Sequence, residues 1–322
     1  MTMIRHFKFL SSDKKTTIHG IKWIPDGEIS CILQISHGMV EYIERYDEFA
    51  RYLNKFGILV IGNDHLGHGK SINEESGFGY FADENGGACI CRDLLYVTKK
   101  AKKDYPGTPI FLLGHSMGSF MARRYIINYG KELDGAIIMG TAQTPIPVLA
   151  AGRVMTKAIE MQHGPHYRSE AIDKMAFGSY NKKIENPKHA HDWLTHDMEI
   201  VEKYESTPED CFVFTARAYD QMLETMQYMQ NPRLIEKIPK DLPIMIISGD
   251  EDPVGDYGKG PAKAYAQLFD AGVEDLDFEL VGGGRHEVLN EIGREDTYEI
   301  ILQWLFEKLS AKEEKAGMGN LD

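Results

Sequence analysis

The most informative short motif of the chain is Gly114-His115-Ser116-Met117-Gly118. It directly follows a continuous apolar run of strand length and opens a run with helical periodicity. In so tight a turn between strand and helix, side chains in place of the glycines would collide with the adjoining backbone, and the strain of the turn holds the serine hydroxyl clear of the sheet. The motif therefore predicts Ser116 as a nucleophile, with Gly114, His115 and Gly118 building the turn around it.

A serine hydroxyl is a poor nucleophile until a base takes its proton and a carboxylate orients that base. In a strand–turn–helix arrangement of this kind both partners are expected after the serine, acid first, at the carboxyl ends of later strands. The chain has 12 histidines, and only His286, in a glycine-rich loop, follows the middle third of the sequence. We therefore predict His286 as the general base.

Three carboxylates, Asp250, Glu251 and Asp252, follow the apolar strand that precedes this loop. Pro253 biases Asp252 away from helical backbone and fixes the chain after it, which favours one defined conformation for an acid that must hold an imidazole. Asp252 is therefore predicted to orient His286. Asp250 is expected to bond to loop amides and Glu251 to face solvent.

Acyl transfer also needs hydrogen-bond donors aimed at the developing oxyanion. One donor should be the backbone N–H of Met117, which follows the nucleophile, and the other the N–H of Met39, in the His-Gly turn after the third strand. His37 in that turn is interpreted as a loop brace rather than a base, because a base should follow the serine in this chain order.

Other reactive residue types predict no further chemistry. Residues 63–71, Asn-Asp-His-Leu-Gly-His-Gly-Lys-Ser, lack the spacing of a phosphate-binding loop and make an incomplete zinc set, so a hydrogen-bonded structural loop near the site is expected. Cys31, Cys89, Cys91 and Cys211 form no CxxC pairs and are expected to be free thiols. No metal site is predicted.

The elements that must position these residues alternate between strand and helix, which implies a parallel sheet covered by helices. Strands are predicted at 18–23, 31–36, 58–61, 109–113, 135–139, 243–247 and 276–281, and helices at 46–55, 93–103, 117–129, 260–268 and 297–309. Between 143 and 240 no comparable strand occurs, whereas helix-like stretches at 148–161 and 214–230 are rich in Met, Tyr, Phe and His. We predict a catalytic core formed by 1–142 and 241–310, a helical cap at 143–240 and a polar, frayed tail at 311–322.

Composition limits the possible partners. The apolar fraction is 43%, which permits a sizeable core, and the formal net charge is −13. Nucleic acids and anionic membrane faces are bound by clustered Lys and Arg, so non-specific binding to either is not expected. The sequence shows no signal-peptide pattern and no apolar run of membrane-spanning length, and a cytoplasmic protein is expected.

Several segments together resemble the monoacylglycerol lipase and lysophospholipase group of α/β hydrolases, the branch also called serine aminopeptidase-like. The matching segments are HGMVEYIERYDEFA from His37, NDHLGHGKS from Asn63, GHSMGS from Gly114, SGDEDPVG from Ser248 and GGRHEVLNE from Gly283. They extend over nearly the whole chain up to the tail. The resemblance also places the triad acid three residues after the strand-ending Gly249, at Asp252.

This resemblance implies an α/β-hydrolase fold with an eight-stranded, mostly parallel sheet, a helical cap after the sixth strand, and no metal or organic cofactor. It implies hydrolysis of a lipid-like monoester, a monoacylglycerol or lysophospholipid, with transient contact between the cap and a membrane or micelle. An aminopeptidase or amidase, or a non-catalytic binding protein on the same fold, remains an alternative. Around Cys211 the chain lacks a glycine typical of the group, so the shape of the acyl pocket, and with it the substrate, stays open. Acyl-chain length, head-group preference and oligomeric state stay open as well.

Overall fold

One eight-stranded sheet organises the chain, of which the computed structural model describes residues 2–318. The strands are β1 (Met3–Leu10), β2 (Thr17–Ile24), β3 (Cys31–Ser36), β4 (Ile58–Asn63), β5 (Ile110–His115), β6 (Gly135–Met139), β7 (Ile244–Gly249) and β8 (Leu276–Val281). Their order in the sheet is β1-β2-β4-β3-β5-β6-β7-β8. β2 pairs antiparallel with β1 and β4, and all other pairs are parallel.

The central strands are buried along their whole length. Every residue of β3, β4, β5, β6 and β7 is buried, as expected for parallel strands with helices on both faces. Successive side chains point to opposite faces of the sheet. On one face Ile32, Leu112 and Ile246 join one apolar cluster, and on the other Leu33, Phe111 and Met245 join a second.

Ten α-helices complete the described part of the chain. They are α1 (Asp47–Asn54), α2 (Gly86–Asp104), α3 (Met117–Tyr129), α4 (Ile146–His163), α5 (Glu170–Phe177), α6 (Met198–Ser206), α7 (Ala216–Tyr228), α8 (Pro232–Ile235), α9 (Lys259–Asp270) and α10 (Arg294–Met318). Residues of α2, α3 and α9 pack on the first sheet face and residues of α1 and α10 on the second. The predicted α/β fold, with a mostly parallel eight-stranded sheet between helices, is confirmed.

The segment between β6 and β7 is helical. Residues 143–240 contain α4 to α8 and short 3-10 turns, and their β-structure is limited to one isolated bridge between Arg168 and Thr215. We refer to residues 143–240 as the inserted segment. Of the helices described in residues 2–318, none is both long and apolar enough to cross a membrane.

Two helices differ from the sequence-based expectation. α2 begins at Gly86, before the predicted start at residue 93, because Gly86 and Gly87 pack closely against α7. A Cβ at Gly86 would lie 2.1 Å from Gln221 Oε1, and one at Gly87 would lie 2.0 Å from Thr225 Oγ1. Gly86 and Gly87 therefore lie within the helix, where they allow α2 to pack closely against α7, and they do not end it. α10 continues past the predicted end at 309 as far as Met318, and the rest of the predicted frayed tail, 319–322, lies outside the described residues.

Candidate active site

The turn that carries Ser116 is strained and tightly packed. Ser116 has φ 52° and ψ −121°, a conformation that L residues rarely adopt. A Cβ at Gly114 would lie 2.4 Å from the carbonyl oxygen of Gly118, and one at Gly118 would lie 1.9 Å from that of Ser36. Both glycines are therefore required by close backbone approach. The Ser116 N–H is fixed by donation to the Met139 carbonyl oxygen at 3.0 Å.

The loops after β7 and β8 bring an acid and a histidine together. Asp252 Oδ2 lies 3.0 Å from His286 Nδ1, and both residues are buried. The other oxygen, Oδ1, accepts the N–H of Val254 at 2.8 Å, and the Ser248 hydroxyl lies 3.3 Å from Oδ2. A carboxylate held at both oxygens can fix the orientation and tautomer of the imidazole.

The neighbouring carboxylates are used differently. Asp250 Oδ1 accepts the N–H of Gly283 at 2.7 Å, and Glu251 lies at the surface with an oxygen 3.6 Å from His196 Nε2. Of the three acids after β7, the structure brings Asp252 to the His286 ring.

Ser116 and His286 line one cavity of about 790 Å³. Within the described residues no hydrogen bond joins the serine hydroxyl to the imidazole. Such bonds are often long without a bound substrate and tighten in the reacting complex. The nucleophile turn and the base loop are already in contact, because His115 Nε2 lies 3.3 Å from the His286 carbonyl oxygen.

The turn after β3 lies against Ser116, the predicted nucleophile. A Cβ at Gly38 would come 3.1 Å from Ser116 Cβ, so the backbone that leads to Met39 passes directly beside the serine. Met39 and Met117 both line the cavity, and neither backbone N–H has an acceptor in the part of the chain that the structure describes. These two free amides are the ones predicted to bind an oxyanion.

His37 fixes the orientation of that turn. Its Nδ1 donates to the Gly38 carbonyl oxygen at 2.8 Å, and its Nε2 accepts the N–H of His65 at 2.8 Å. Because the carbonyl and the N–H of a trans peptide point in opposite directions, this bond turns the Met39 N–H away from His37. Burial lowers the pKa of His37, which keeps the ring neutral, as both hydrogen bonds require.

The loop 63–71 forms a buried layer of imidazoles next to this turn. The rings of His65 and His68 lie 4.2 Å and 5.2 Å from that of His37, and burial lowers the pKa of His68 to about 3. Asp64 accepts the N–H of Ile43 and of Lys70, each at 2.9 Å. These contacts are those of a structural loop, and we assign it no chemistry.

A buried ion cluster lies beneath the site. Glu41 accepts the Gly38 N–H, the Tyr46 hydroxyl and His115 Nδ1, the last at 3.0 Å. Arg45 pairs with Glu41 at 3.2 Å and forms two hydrogen bonds, of 2.7 and 2.8 Å, with Glu287. Although burial opposes ionisation, His115 and Arg45 hold the pKa of Glu41 below its ordinary value, and Glu41 in turn raises the pKa of His115. The sequence motif contained Glu41 and Arg45, but the pairing of Arg45 with Glu287, 242 positions away, was not predicted.

The inserted segment contacts the base loop directly. Trp193 O accepts the His286 N–H at 3.4 Å, and the two rings lie 5.3 Å apart. Arg285 Nη1 donates to the carbonyl oxygens of Asp192 at 2.7 Å and Thr195 at 3.0 Å. The position of the histidine therefore depends on the inserted segment as well as on the core.

The walls of the cavity divide into two chemical types. One wall is apolar and comes mainly from the inserted segment, with Val148, Leu149, Met155, Ile172, Met222 and Met226. A second group, which we call the polar wall, consists of Glu41, His191, Tyr204, Asp210 and Glu287; Thr156 and Asp173, on the helices that supply apolar side chains, are further polar lining residues. The polar wall was not predicted from the sequence.

The donor atoms present suggest no metal centre in this cavity. Among described residues, His6, His19 and Glu44 place possible ligand atoms within 4.8 Å of one another, outside the cavity. Those atoms already have partners: His6 Nδ1 lies 2.9 Å from His19 Nε2, and Glu44 pairs with Lys70. We assign no ion to them.

The sheet order, the strained nucleophile turn after β5 and the acid and histidine after β7 and β8 define the α/β-hydrolase superfamily. Residues 27–293 match the family described as serine aminopeptidase, S33. Rat monoglyceride lipase is 26% identical over 84% of this chain and 80% of its own length. A carboxyl esterase of Bacillus coagulans superposes with a TM-score of 0.88 at 27% identity, covering 96% of this chain and 100% of that one. A monoglyceride lipase of Saccharomyces cerevisiae shares the fold, with a TM-score of 0.74 at 20% identity over 95% of this chain and 96% of that one.

The family match covers most of the chain. The chain belongs to the serine aminopeptidase S33 family of α/β hydrolases and is a serine hydrolase. The superfamily and enzyme class predicted from the sequence motifs are thereby confirmed.

The ion cluster generates a prediction about stability. Glu41→Gln should lower the free energy of unfolding by about 3 kcal/mol or more, because it removes the carboxylate that pairs with the buried His115 and one of the two that pair with the buried Arg45. Glu44→Gln, three residues away, removes an exposed pair with Lys70 and should cost no more than about 1 kcal/mol. Urea unfolding of the two variants measures the difference, and equal losses would show that the cluster carries no special stabilisation.

Proposed function

We propose that the protein hydrolyses the carboxylic ester bond of lipid-like monoesters, a monoacylglycerol or a lysophospholipid. In this proposal Ser116 is the nucleophile, His286 the general base and Asp252 the acid that orients His286. The observation that carries this proposal is the cavity itself. Its lining contains Ser116 and His286 together with the apolar side chains of the inserted segment and a group of polar side chains, which fits a molecule with an acyl chain and a polar alcohol.

The reaction follows from these positions. His286 takes the proton of the Ser116 hydroxyl as the serine oxygen attacks the ester carbonyl carbon. His286 then gives this proton to the oxygen of the leaving alcohol, the carbon–oxygen bond breaks, and the acyl group stays on Ser116. Water next attacks the acyl-enzyme while His286 accepts its proton. His286 then returns this proton to the Ser116 oxygen as the bond between that oxygen and the acyl carbon breaks, so the acid leaves and Ser116 is regenerated.

The oxyanion formed in both steps needs donors that are fixed in advance. The free backbone amides of Met39 and Met117 support this role, and the bond from His37 to the Gly38 carbonyl keeps the first of them oriented. A single well-placed donor of this kind contributes roughly 3 to 4 kcal/mol to transition-state stabilisation.

The comparisons support the substrate class. Rat monoglyceride lipase and the Bacillus coagulans carboxyl esterase both carry names that describe ester hydrolysis, and both align over most of this chain. The family description instead names an aminopeptidase, so peptide hydrolysis is the alternative to test. To separate the two, the protein is assayed with esters and with aminoacyl anilides. Turnover of the esters without release of arylamine from the anilides would support the esterase function, and the opposite result would support the aminopeptidase.

We also propose that the inserted segment acts as a cap that contacts a membrane or micelle surface transiently. Several of its apolar side chains are exposed, among them Val154 and Met161 of α4 and Met175 of α5, with exposed fractions of 70%, 89% and 63%. Clusters of exposed apolar side chains are typical of interaction sites. A substrate could pass from the lipid surface into the apolar end of the cavity below.

The first test separates the acids after β7. Asp252→Asn should lower kcat for p-nitrophenyl butyrate by about four orders of magnitude, because the imidazole loses both its orientation and the partner for its charged form. Asp250→Asn is the matched control and should retain kcat within about threefold, since its carboxylate accepts a loop amide instead. A larger loss in the Asp250 variant than in the Asp252 variant would contradict the assignment.

The second test probes the acyl wall. Both Ala151 and Ala150 of α4 are exposed, but only Ala151 also lines the cavity. Ala151→Phe should reduce kcat/KM for p-nitrophenyl palmitate on the order of tenfold more than for the acetate, because a long acyl chain needs the space that the ring fills. Ala150→Phe should leave the palmitate-to-acetate ratio unchanged. A uniform loss across the ester series in the Ala151 variant would mean that α4 supports the catalytic loops rather than the acyl chain.

A further inference from the structure

Asp210 is a buried carboxyl group without a partner on the polar wall of the cavity. It ends a short 3-10 turn, Pro208–Asp210, and is 3% exposed. Within residues 2–318 its side chain makes no hydrogen bond or ion pair, and its Oδ1 atom is fully buried. Buried polar atoms in native proteins almost always have a partner, and one left unsatisfied costs roughly 1 to 3 kcal/mol. Asp210 is therefore suited to a partner that enters the cavity.

Its surroundings determine which partner fits. The charged groups that act on Asp210 are Arg45 and Glu41 of the segment after β3, Glu287 of the base loop, and Glu209 beside it, and the nearby titratable groups are Tyr42, Tyr204 and Cys211. The guanidinium of Arg45 is already paired with both glutamates. No cationic side chain remains for Asp210 within this described cluster.

This arrangement disfavours charged ligands. An anionic phosphate would face the ionised carboxylates of Glu41 and Glu287, and a cationic amine would lie close to Arg45. Burial raises the pKa of Asp210 to about 8, so at neutral pH most of this carboxyl is protonated and can both donate and accept. A neutral hydroxyl group can likewise both donate and accept a hydrogen bond, so it matches a protonated carboxyl.

We infer that Asp210 binds a hydroxyl group on the alcohol portion of the substrate, so that the polar wall forms a subsite for a neutral, hydroxylated head group. This inference rests on the proposed function, because an alcohol portion exists only if the substrate is an ester. Asp210 is then a specificity-determining residue that favours a glycerol-like head over a phosphate-bearing one. An esterified acyl chain would extend from Ser116 toward the apolar wall on the other side.

The test uses two esters of one fatty acid, the monoacylglycerol and the propyl ester, which differ only in the two hydroxyls of the alcohol. Wild type should have the higher kcat/KM for the monoacylglycerol. Asp210→Leu should lower the monoacylglycerol-to-propyl ratio by about 10- to 100-fold, the range expected for loss of a buried hydrogen bond. Asp210→Asn keeps the size, a donor and an acceptor, and should lower the ratio less.

The control is Glu209→Gln, the adjacent acid, which does not line the cavity and should leave the ratio unchanged. An unchanged ratio in both Asp210 variants, with wild type cleaving both esters, would overturn the subsite while leaving the proposed function intact. Cleavage of neither ester by wild type would overturn the proposed function itself. Faster wild-type turnover of lysophosphatidylcholine than of the monoacylglycerol with the same acyl chain would also overturn the subsite.

Discussion

The buried carboxylate of Glu41 holds the site together, because its hydrogen bonds and ion pairs connect three of the loops that form it. It accepts the Gly38 N–H of the turn after β3 and His115 of the nucleophile turn, and through Arg45 it is joined to Glu287 of the base loop. Three loops from distant parts of the sequence thus share one set of buried charges. Because an unpaired buried charge is very costly, none of these loops can move far without losing stability.

The sheet and the inserted segment supply the remaining constraints. The strained conformation of Ser116 persists because Gly118 packs directly on the backbone at the end of β3. On the other side Arg285 and the His286 N–H bond to carbonyl oxygens of the inserted segment. The same segment that lines the apolar wall therefore also helps to hold the histidine, which links substrate binding to the geometry of catalysis. A substitution in the inserted segment can therefore alter both the apolar wall and the position of His286.

Features that depend on neighbouring residues could be predicted from the sequence, whereas contacts between residues far apart in the chain could not. The bounds of β3, β6, β8 and α3 agree with the sequence prediction, because continuous apolar runs and turn residues are local signals. The motifs identified the loops after β3, β5, β7 and β8 because parallel strands end at one edge of the sheet. The pairing of Arg45 with Glu287 could not be predicted, since it joins residues that no local pattern relates. The burial of Asp210 and the early start of α2 depend likewise on packing across the inserted segment.

Covalent labelling shows whether Ser116 carries the acyl group. The intact protein is treated with a fluorophosphonate, digested and analysed by tandem mass spectrometry that resolves Ser116 from Ser119 on the same helix turn. We expect one adduct, on Ser116, and no adduct in Ser116→Ala, because only the serine oxygen activated by His286 attacks phosphorus at a useful rate. A label on Ser119 or on any other serine in wild type, or ester turnover at near wild-type rate in Ser116→Ala, would contradict it.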